Sequence, residues 1–394
     1  MIRKVKIGAM VDVNPKIPSK VTRDPNATVS FIPMAGISIN GDILTSEERK
    51  VSDVIKGYRY FEPGDVLLAK ITPCFENGKA AFIENLSNTI GFGSTEFHVL
   101  RPGKEVDPKY LFHLIRSSNF RFVGRCNMTG TAGQKRLPTD FIKRFEIPLP
   151  PLPEQKRIAA ILDKAEAIRR KRQHSIKVAD ELLRSVFLDM FGDPVTNPKG
   201  WPLGSIRDLV REVKYGTSKK ANEANGKFPV LRMNNITYIG NLDLTNLKYI
   251  DLNEKEKEKY LVLKGDLLFN RTNSKELVGK TAVYNRDKPV AFAGYLIRVR
   301  SNRKSNPYYI SSYLNSKHGK ATLINMCKSI IGMANINAQE LQDMKILMPP
   351  IELQNRYSDF VKALMRKKKH LTLALWQSTE LLATLSQRAF RGEL

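Results

Sequence analysis

The chain has 394 residues, enough for two or more domains with separate cores. Hydrophobic residues at 42% and charged residues at 26% describe a folded globular protein and exclude a disordered one. The charge is unbalanced: 65 basic against 39 acidic side chains leaves +26, a surface that attracts polyanions, with nucleic acid the leading partner. No stretch reaches the roughly 18 apolar residues of a membrane span, and MIRKVKIGAMVDV lacks a signal-peptide core, so no membrane partner and a cytoplasmic location are expected. Cys74, Cys126 and Cys327 are far apart and read as reduced thiols, and the five histidines have no metal-ligand spacing.

In chain order, β-rich runs come first: FIPMAG, DVLLAKI, KAAFIE and TEFHVLR, punctuated by Gly, Pro and Asn. A helical stretch, DPKYLFHLIRSSNF, leads to a Gly-bearing loop, a short helix, and a strand that stops at Pro150-Pro151. The spacing predicts a long helix from about Glu154 to Met190, ended by the linker Gly192 to Pro202. The same order then returns, with LLFNRT, KTAVYN, AGYLIRVR, NPYYISSYLNSKHG and a second Pro-Pro. Pro350 follows Pro151 by 199 residues, about half the chain, and Ile147/Ile346, Gln155/Gln354, Tyr110/Tyr309 and Gly133/Gly332 share that offset. A second block, GDVLLAK against GDLLFNR, is offset by 201. Four blocks in one order make this a duplicated protein. The expected divisions are 1–152, 153–191, 192–350 and 351–394.

Both long helices carry heptads in one register. Ile158, Ala165, Arg172, Ala179 and Val186 repeat every seven, answered by Tyr357, Leu364, Leu371, Ser378 and Leu385; Leu162, Ile168, Leu182, Leu375 and Leu382 are expected to complete the seam. The two helices are expected to pair antiparallel, holding two similar globular units at opposite ends. The clusters Arg169-Arg170-Lys171-Arg172 and Arg366-Lys367-Lys368-Lys369 lie at matching points and suit DNA or partner subunits.

The strand–PLPPLPEQ–long helix arrangement, with LLRSVFLDMFGDP mid-chain and LLATLSQRAFRGEL at the end, resembles the specificity subunit of type I restriction–modification systems over essentially the whole chain. That resemblance implies two α/β (α+β) target-recognition domains in tandem, separated by two long helices that form an antiparallel coiled coil. It also implies a non-catalytic subunit whose domains each read half of a bipartite, asymmetric target in double-stranded DNA. The partners it implies are two methyltransferase subunits docked on the helices and nuclease–translocase subunits; S-adenosylmethionine, ATP and magnesium would belong to those partners, with no cofactor in this chain. A coiled-coil DNA-bridging or regulatory protein is the alternative, but it leaves two divergent heads of matching architecture unexplained.

Catalytic motifs are tested and set aside. Asn306-Pro307-Tyr308 lacks the second proline of an adenine methyltransferase loop, and Ile90 to Phe97 lacks the flanks of a cofactor turn. The Gly130 to Lys135 loop lacks the Gly-Lys-Ser/Thr ending of a phosphate loop. Asp65 and Lys70 suggest a nuclease, but the repeat replaces Lys70 by Arg271, and no acidic partner is shared at metal-ligand spacing.

Comparing the copies selects candidate DNA contacts. Gly64/Gly265 and Asp65/Asp266 are expected to be scaffold, whereas Lys70/Arg271 and Lys79/Lys280 keep their charge and suit phosphate. The Gly-bearing loops diverge: Thr131, Gln134, Lys135 and Arg136 stand against Ile330, Met333, Ala334 and Asn335. Arg or Lys suits guanine edges and Asn or Gln suits adenine. Copy two adds Arg232, Asn234, Asn235, Asn273, Ser274 and Lys275 as candidate readers.

Overall fold

β-Branched and aromatic runs fold into short strands because their side chains pack on a pleated, buried surface. The computed structural model describes residues 3–131, 133–223, 225–330 and 333–394, leaving aside the side chains of Thr22, Lys328, Ser329, Ile330 and Met333. Gly332, the expected counterpart of Gly133, lies outside the described residues. Two units emerge: residues 1–174 with 372–394, and residues 175–371.

Unit 1 contains β1 (Lys4–Lys6), β2 (Val11–Val13), β3 (Thr28–Ile32), β4 (Glu47–Lys50), β5 (Arg59–Phe61), β6 (Val66–Ala69), β7 (Ala80–Phe82), β8 (Gly91–Gly93), β9 (Phe97–Pro102) and β10 (Glu146–Pro148). One sheet runs β2-β9-β6-β7, a second runs β4-β3-β8-β5 with β3 and β8 parallel, and β1 pairs with β10. The alternation of a strand's side chains joins the layers. Val66 and Leu68 enter one core with the helices, while Leu67 and Ala69 enter another with Ile32 and Phe61 of the second sheet.

Unit 2 contains β11 (Leu203–Ser205), β12 (Val210–Tyr215), β13 (Phe228–Leu231), β14 (Lys248–Ile250), β15 (Leu261–Val262), β16 (Leu267–Asn270), β17 (Thr272–Asn273), β18 (Thr281–Val283), β19 (Val290–Phe292), β20 (Leu296–Ser301), β21 (Lys328–Ile330), β22 (Met333–Asn335) and β23 (Lys345–Leu347). Its sheets β12-β20-β16-β18 and β14-β13-β19-β15 repeat those of unit 1, including the parallel pair β13–β19, and β11 pairs with β23. A small third sheet, β17-β22-β21, is present besides. The turn into β6 and β16 puts Gly64 and Gly265 at φ 95° and 94°, where a side chain is disfavoured.

The repeated Pro-Pro-x-x-x-Gln has a structural cause. Gln155 is fully buried; its Oε1 accepts from the Asp107 amide at 2.9 Å, and its Nε2 donates to the Glu105 and Pro150 carbonyls at 2.9 and 2.8 Å. Gln354 does the same with the Asn306 amide at 2.9 Å and the Lys304 and Pro349 carbonyls at 3.2 and 2.8 Å. Asp107 and Asn306 in turn cap the helices Pro108–Arg116 and Pro307–Asn315, accepting from the Tyr110 and Tyr308 amides. Each glutamine thus ties three segments: the strand end, the capped helix and the start of the long helix.

The long helices span Leu152–Phe191 and Ile351–Ala389. They run antiparallel within each unit. In unit 1, Arg157 donates to the Leu394 carbonyl and Arg172 to that of Ala374; in unit 2, Asp180 pairs with Lys368 and Phe187 meets Tyr357. Ile158, Leu162, Ala165 and Ala179 are buried, and Val186, Leu364, Leu371, Leu375, Leu382 and Leu385 are partly so. Ile168 and Leu182 depart from expectation: both are exposed, at 40% and 43%. The seam steps by four then three, so it passes through Arg169 and Leu183 instead. Arg169 fits there because Glu166, one turn back, takes its guanidinium at 2.8 Å. The helices also enter the unit cores, which the heptads alone did not indicate. Leu382, Leu385 and Phe390 pack on the core of unit 1, and Leu183, Val186 and Phe191 on that of unit 2.

Candidate nucleic-acid interface

In each unit the end of the central strand, the start of its neighbour and the Gly-bearing loop meet at one corner. In unit 1, Lys70 follows β6, its amide donates to the Glu96 carbonyl at 2.9 Å, and its carbonyl accepts from Leu137 at 2.8 Å. Thr129 and Arg136 close the loop by reciprocal backbone bonds of 3.0 and 2.8 Å, and Thr72 donates to the Lys135 carbonyl at 2.9 Å. Unit 2 builds the same corner: Arg271 donates to the Tyr295 carbonyl at 3.0 Å and accepts from Ile336 at 2.9 Å. There β21 and β22 pair antiparallel, and β22 also pairs with β17.

The side chains at the two corners differ. The Glu96 carboxylate takes the Arg136 guanidinium at Nε (3.0 Å) and Nη2 (2.9 Å), and stands 3.9 Å from the Lys70 ammonium. The bonds from Arg136 hold the Glu96 carboxyl below the usual carboxylate range, and burial lowers the Lys70 ammonium from its ordinary value. Thr131, Gln134, Lys135 and Arg136 are all exposed. Behind them His98 is buried, with Leu137's carbonyl at 2.8 Å from Nε2 and the Asn14 amide nitrogen 3.2 Å from Nδ1; burial pushes its pKa down to about 4. In unit 2, Arg271 lies 4.8 Å over the Tyr215 ring, whose hydroxyl accepts from the Ala338 amide at 2.8 Å. Asn335 accepts from the Thr272 hydroxyl at 3.3 Å, and Tyr295 is 53% exposed.

Several of the expected contact residues are engaged within the scaffold. Lys79 donates to the Met34 carbonyl at 2.9 Å and Lys280 to the Met233 carbonyl at 3.0 Å, each tying the sheet to a one-turn helix at the same point of the repeat. Lys280 is only 7% exposed, with its ammonium held on the Met233 carbonyl. Asn235 is buried; it accepts from the Arg232 amide at 2.8 Å and donates to the Asp243 carbonyl at 2.9 Å. Arg232 reaches the Asn246 carbonyl at 3.1 Å, and Asn273 accepts from the Ser274 amide at 2.9 Å to shape its turn. Asn234 and Lys275 are exposed beside these ties. The Arg169–Arg170 cluster is likewise engaged: Arg169 donates to Asn40 Oδ1 at 2.8 Å, and Arg170 binds Asp42 and the Asn40 carbonyl.

A family model described as the type I restriction modification DNA specificity domain matches residues 2–178 and again 198–375. The chain belongs to this family. It is 48% identical over 151 residues to the EcoAI specificity subunit of Escherichia coli, covering 38% of this chain and 25% of that one. With the EcoKI specificity subunit of Escherichia coli K12 it shares 26% identity over 362 residues, 87% of this chain and 77% of that one. The match spans about a quarter of the length of the EcoAI and EcoEI subunits. The solved type I restriction–modification S subunit from M. genitalium shares the fold at 15% identity and TM-score 0.58, covering 98% of this chain and 96% of that one. A chain solved in a study of complex assembly in the type I R-M system gives 0.60 at 21% identity, covering 100% and 98%.

Within each specificity domain a further pair escaped the sequence reading. Arg101 forks onto Asp65 at 2.8 and 2.7 Å, and Arg300 onto Asp266 at 2.9 and 3.3 Å. The same carboxylates accept the Glu62 and Leu263 amides at 2.8 Å, closing the turn before the central strand. The signal was present, since Arg101 and Arg300 share the 199 offset. Glu96 and Tyr215 were missed because their counterparts, Tyr295 and Lys16, differ. Among the described residues no cluster could hold a metal ion, and no helix is long and apolar enough to cross a membrane.

Proposed function

We propose that the chain is the DNA sequence-specificity subunit of a type I restriction–modification complex, working in the cytoplasm. Each specificity domain reads a few base pairs of one half of a split, asymmetric DNA target. The long helices fix the spacing and dock two methyltransferase subunits, to which nuclease–translocase subunits are added. S-adenosylmethionine, ATP and magnesium serve those partners, and this chain performs no chemistry of its own. The observation that carries the reading is one corner built twice on the same backbone and furnished differently: Lys70, Glu96 and Arg136 against Arg271, Tyr295 and Asn335. A duplicated scaffold with divergent side chains at one exposed point suits two different half-sites, and the +26 charge suits a phosphate backbone.

The test is to purify the chain alone and then with its modification subunits. Alone it should bind duplex DNA with log K falling by about 0.9 per phosphate neutralised as log salt rises, and methylate nothing. Together they should methylate one bipartite, asymmetric sequence. S-adenosylmethionine bound by the pure chain, or methylation without sequence preference, overturns the reading.

A further inference from the structure

We infer that Glu96 is a positioning residue that holds the Arg136 guanidinium edge-on for one guanine of the half-site read by unit 1, an inference that rests on the DNA-reading role proposed above. Arginine has five N–H donors in a fixed plane. Glu96 occupies Nε–H and one Nη2–H, with Nε at 3.1 and 3.0 Å from its two oxygens and Nη2 at 2.9 Å. The Gln134 carbonyl, 3.3 Å from Nη1, takes one more. One N–H on each terminal nitrogen remains, and these two form the fork that matches guanine O6 and N7. Arg136 is 45% exposed on its side chain and Glu96 23%, so the fork is open while the carboxylate is sheltered.

The backbone supports the same geometry. Arg136 closes the loop through reciprocal bonds to Thr129, and Glu96 sits immediately before β9, its carbonyl held by the Lys70 amide at 2.9 Å. Both partners therefore hang from fixed backbone, and the plane of the guanidinium is set before any ligand arrives. Charge separates base contact from phosphate contact here. A carboxylate against the guanidinium repels a phosphate and weakens a simple ion pair, whereas a base edge presents neutral acceptors. Among the described residues unit 2 shows no such device. Tyr295 replaces Glu96 and Asn335 replaces Arg136, so its corner does not present an arginine fork held by a carboxylate.

The test assembles the full-length chain with its modification subunits and maps methylation on duplexes randomised across the target. Arg136→Lys keeps the charge and loses the fork; it should lower the preference for one G·C pair roughly 10- to 100-fold and leave the other half-site intact. Glu96→Gln should relax the same pair by a smaller factor while leaving affinity for unrelated duplex unchanged or higher. A purely structural Glu96 would instead weaken binding to every sequence and lower the melting temperature. Retention of the wild-type preference by both variants, or equal weakening on all sequences, overturns the inference. If the wild-type complex selects no bipartite sequence, the DNA-reading role itself fails; if it selects one and the variants change nothing, only the Glu96 inference falls.

Discussion

Phe390 meets Tyr110 edge-on with ring centroids 5.4 Å apart, and Phe191 meets Tyr309 at 4.7 Å. The offset of 199 that relates Tyr110 to Tyr309 also relates Phe191 to Phe390, so each tyrosine is covered by the helix tip of the other copy. Phe390→Ala should therefore destabilise unit 1 although it lies at the far end of the sequence. The expected cost is roughly 2 kcal/mol, less than for a fully buried ring because Phe390 is partly exposed. Hydrogen exchange should speed in the 108–116 helix and stay unchanged in the 307–315 helix; a uniform change in both would refute the assignment.

A chain ending near residue 197 contains Leu183, Val186, Met190 and Phe191 in the places of Leu382, Leu385, Ala389 and Phe390. Antiparallel pairing of two such helices is an isologous contact. The half-chain is expected to form a homodimer and, with modification subunits, to methylate a palindrome of its own half-site. Arg172 opposes this pairing, since Leu371 is its counterpart in the second helix and an apolar residue is lost from the seam. Sedimentation equilibrium decides it: a monomer at high concentration means that the two helices have specialised beyond exchange.

Gln155→Leu is close in size but leaves the Asp107 amide and the Glu105 and Pro150 carbonyls without their partner. The loss is expected to be about 3 kcal/mol, the cost of orphaned buried polar groups. Gln354→Leu should cost unit 2 a similar amount, read by urea unfolding followed with site-resolved exchange. A loss under about 1 kcal/mol in both would show that water replaces the amide.

His98 gives the fold a pH dependence of definite sign. Its pKa of about 4 in the folded chain lies below the unfolded value near 6.5, so folding favours the neutral ring. The contribution is whole above about pH 6.5 and disappears as pH falls toward 4, amounting to about 3 kcal/mol. His98→Gln should flatten that part of the stability curve relative to wild type. An unchanged difference between the two proteins across pH 4 to 7 would contradict a buried neutral imidazole.

The duplication was legible because both copies repeat the residues that build turns and caps: Gly64/Gly265, Asp65/Asp266 and Gln155/Gln354. Their partners were not legible, since Lys79 reaches a carbonyl 45 residues away and Lys280 one 47 away. A retained charge suits a phosphate contact in the sequence, whereas the structure shows it tying one layer to another. Ile168 and Leu182 suit the seam by apolar character, but its steps of four and three assign those slots to Arg169 and Leu183. At the candidate site, divergence pointed to the loop that carries Arg136 but not to Glu96. Its meaning depends on an arginine 40 residues downstream.

Arg170 binding Asp42, and Arg169 binding Asn40, fall at positions that the second copy fills with other residues, Ile239 and Asn241 in the loop and Lys368 and Lys369 on the helix. The two heads are thus unequal as exchangeable parts. A graft of the second head that ends at its Pro-Pro carries all its glutamine ties except the glutamine itself, which the recipient helix supplies. A graft of the first head cut at the same point leaves its two arginines behind. Its smallest portable module extends through Arg170, and shuffling between relatives should succeed or fail at that boundary.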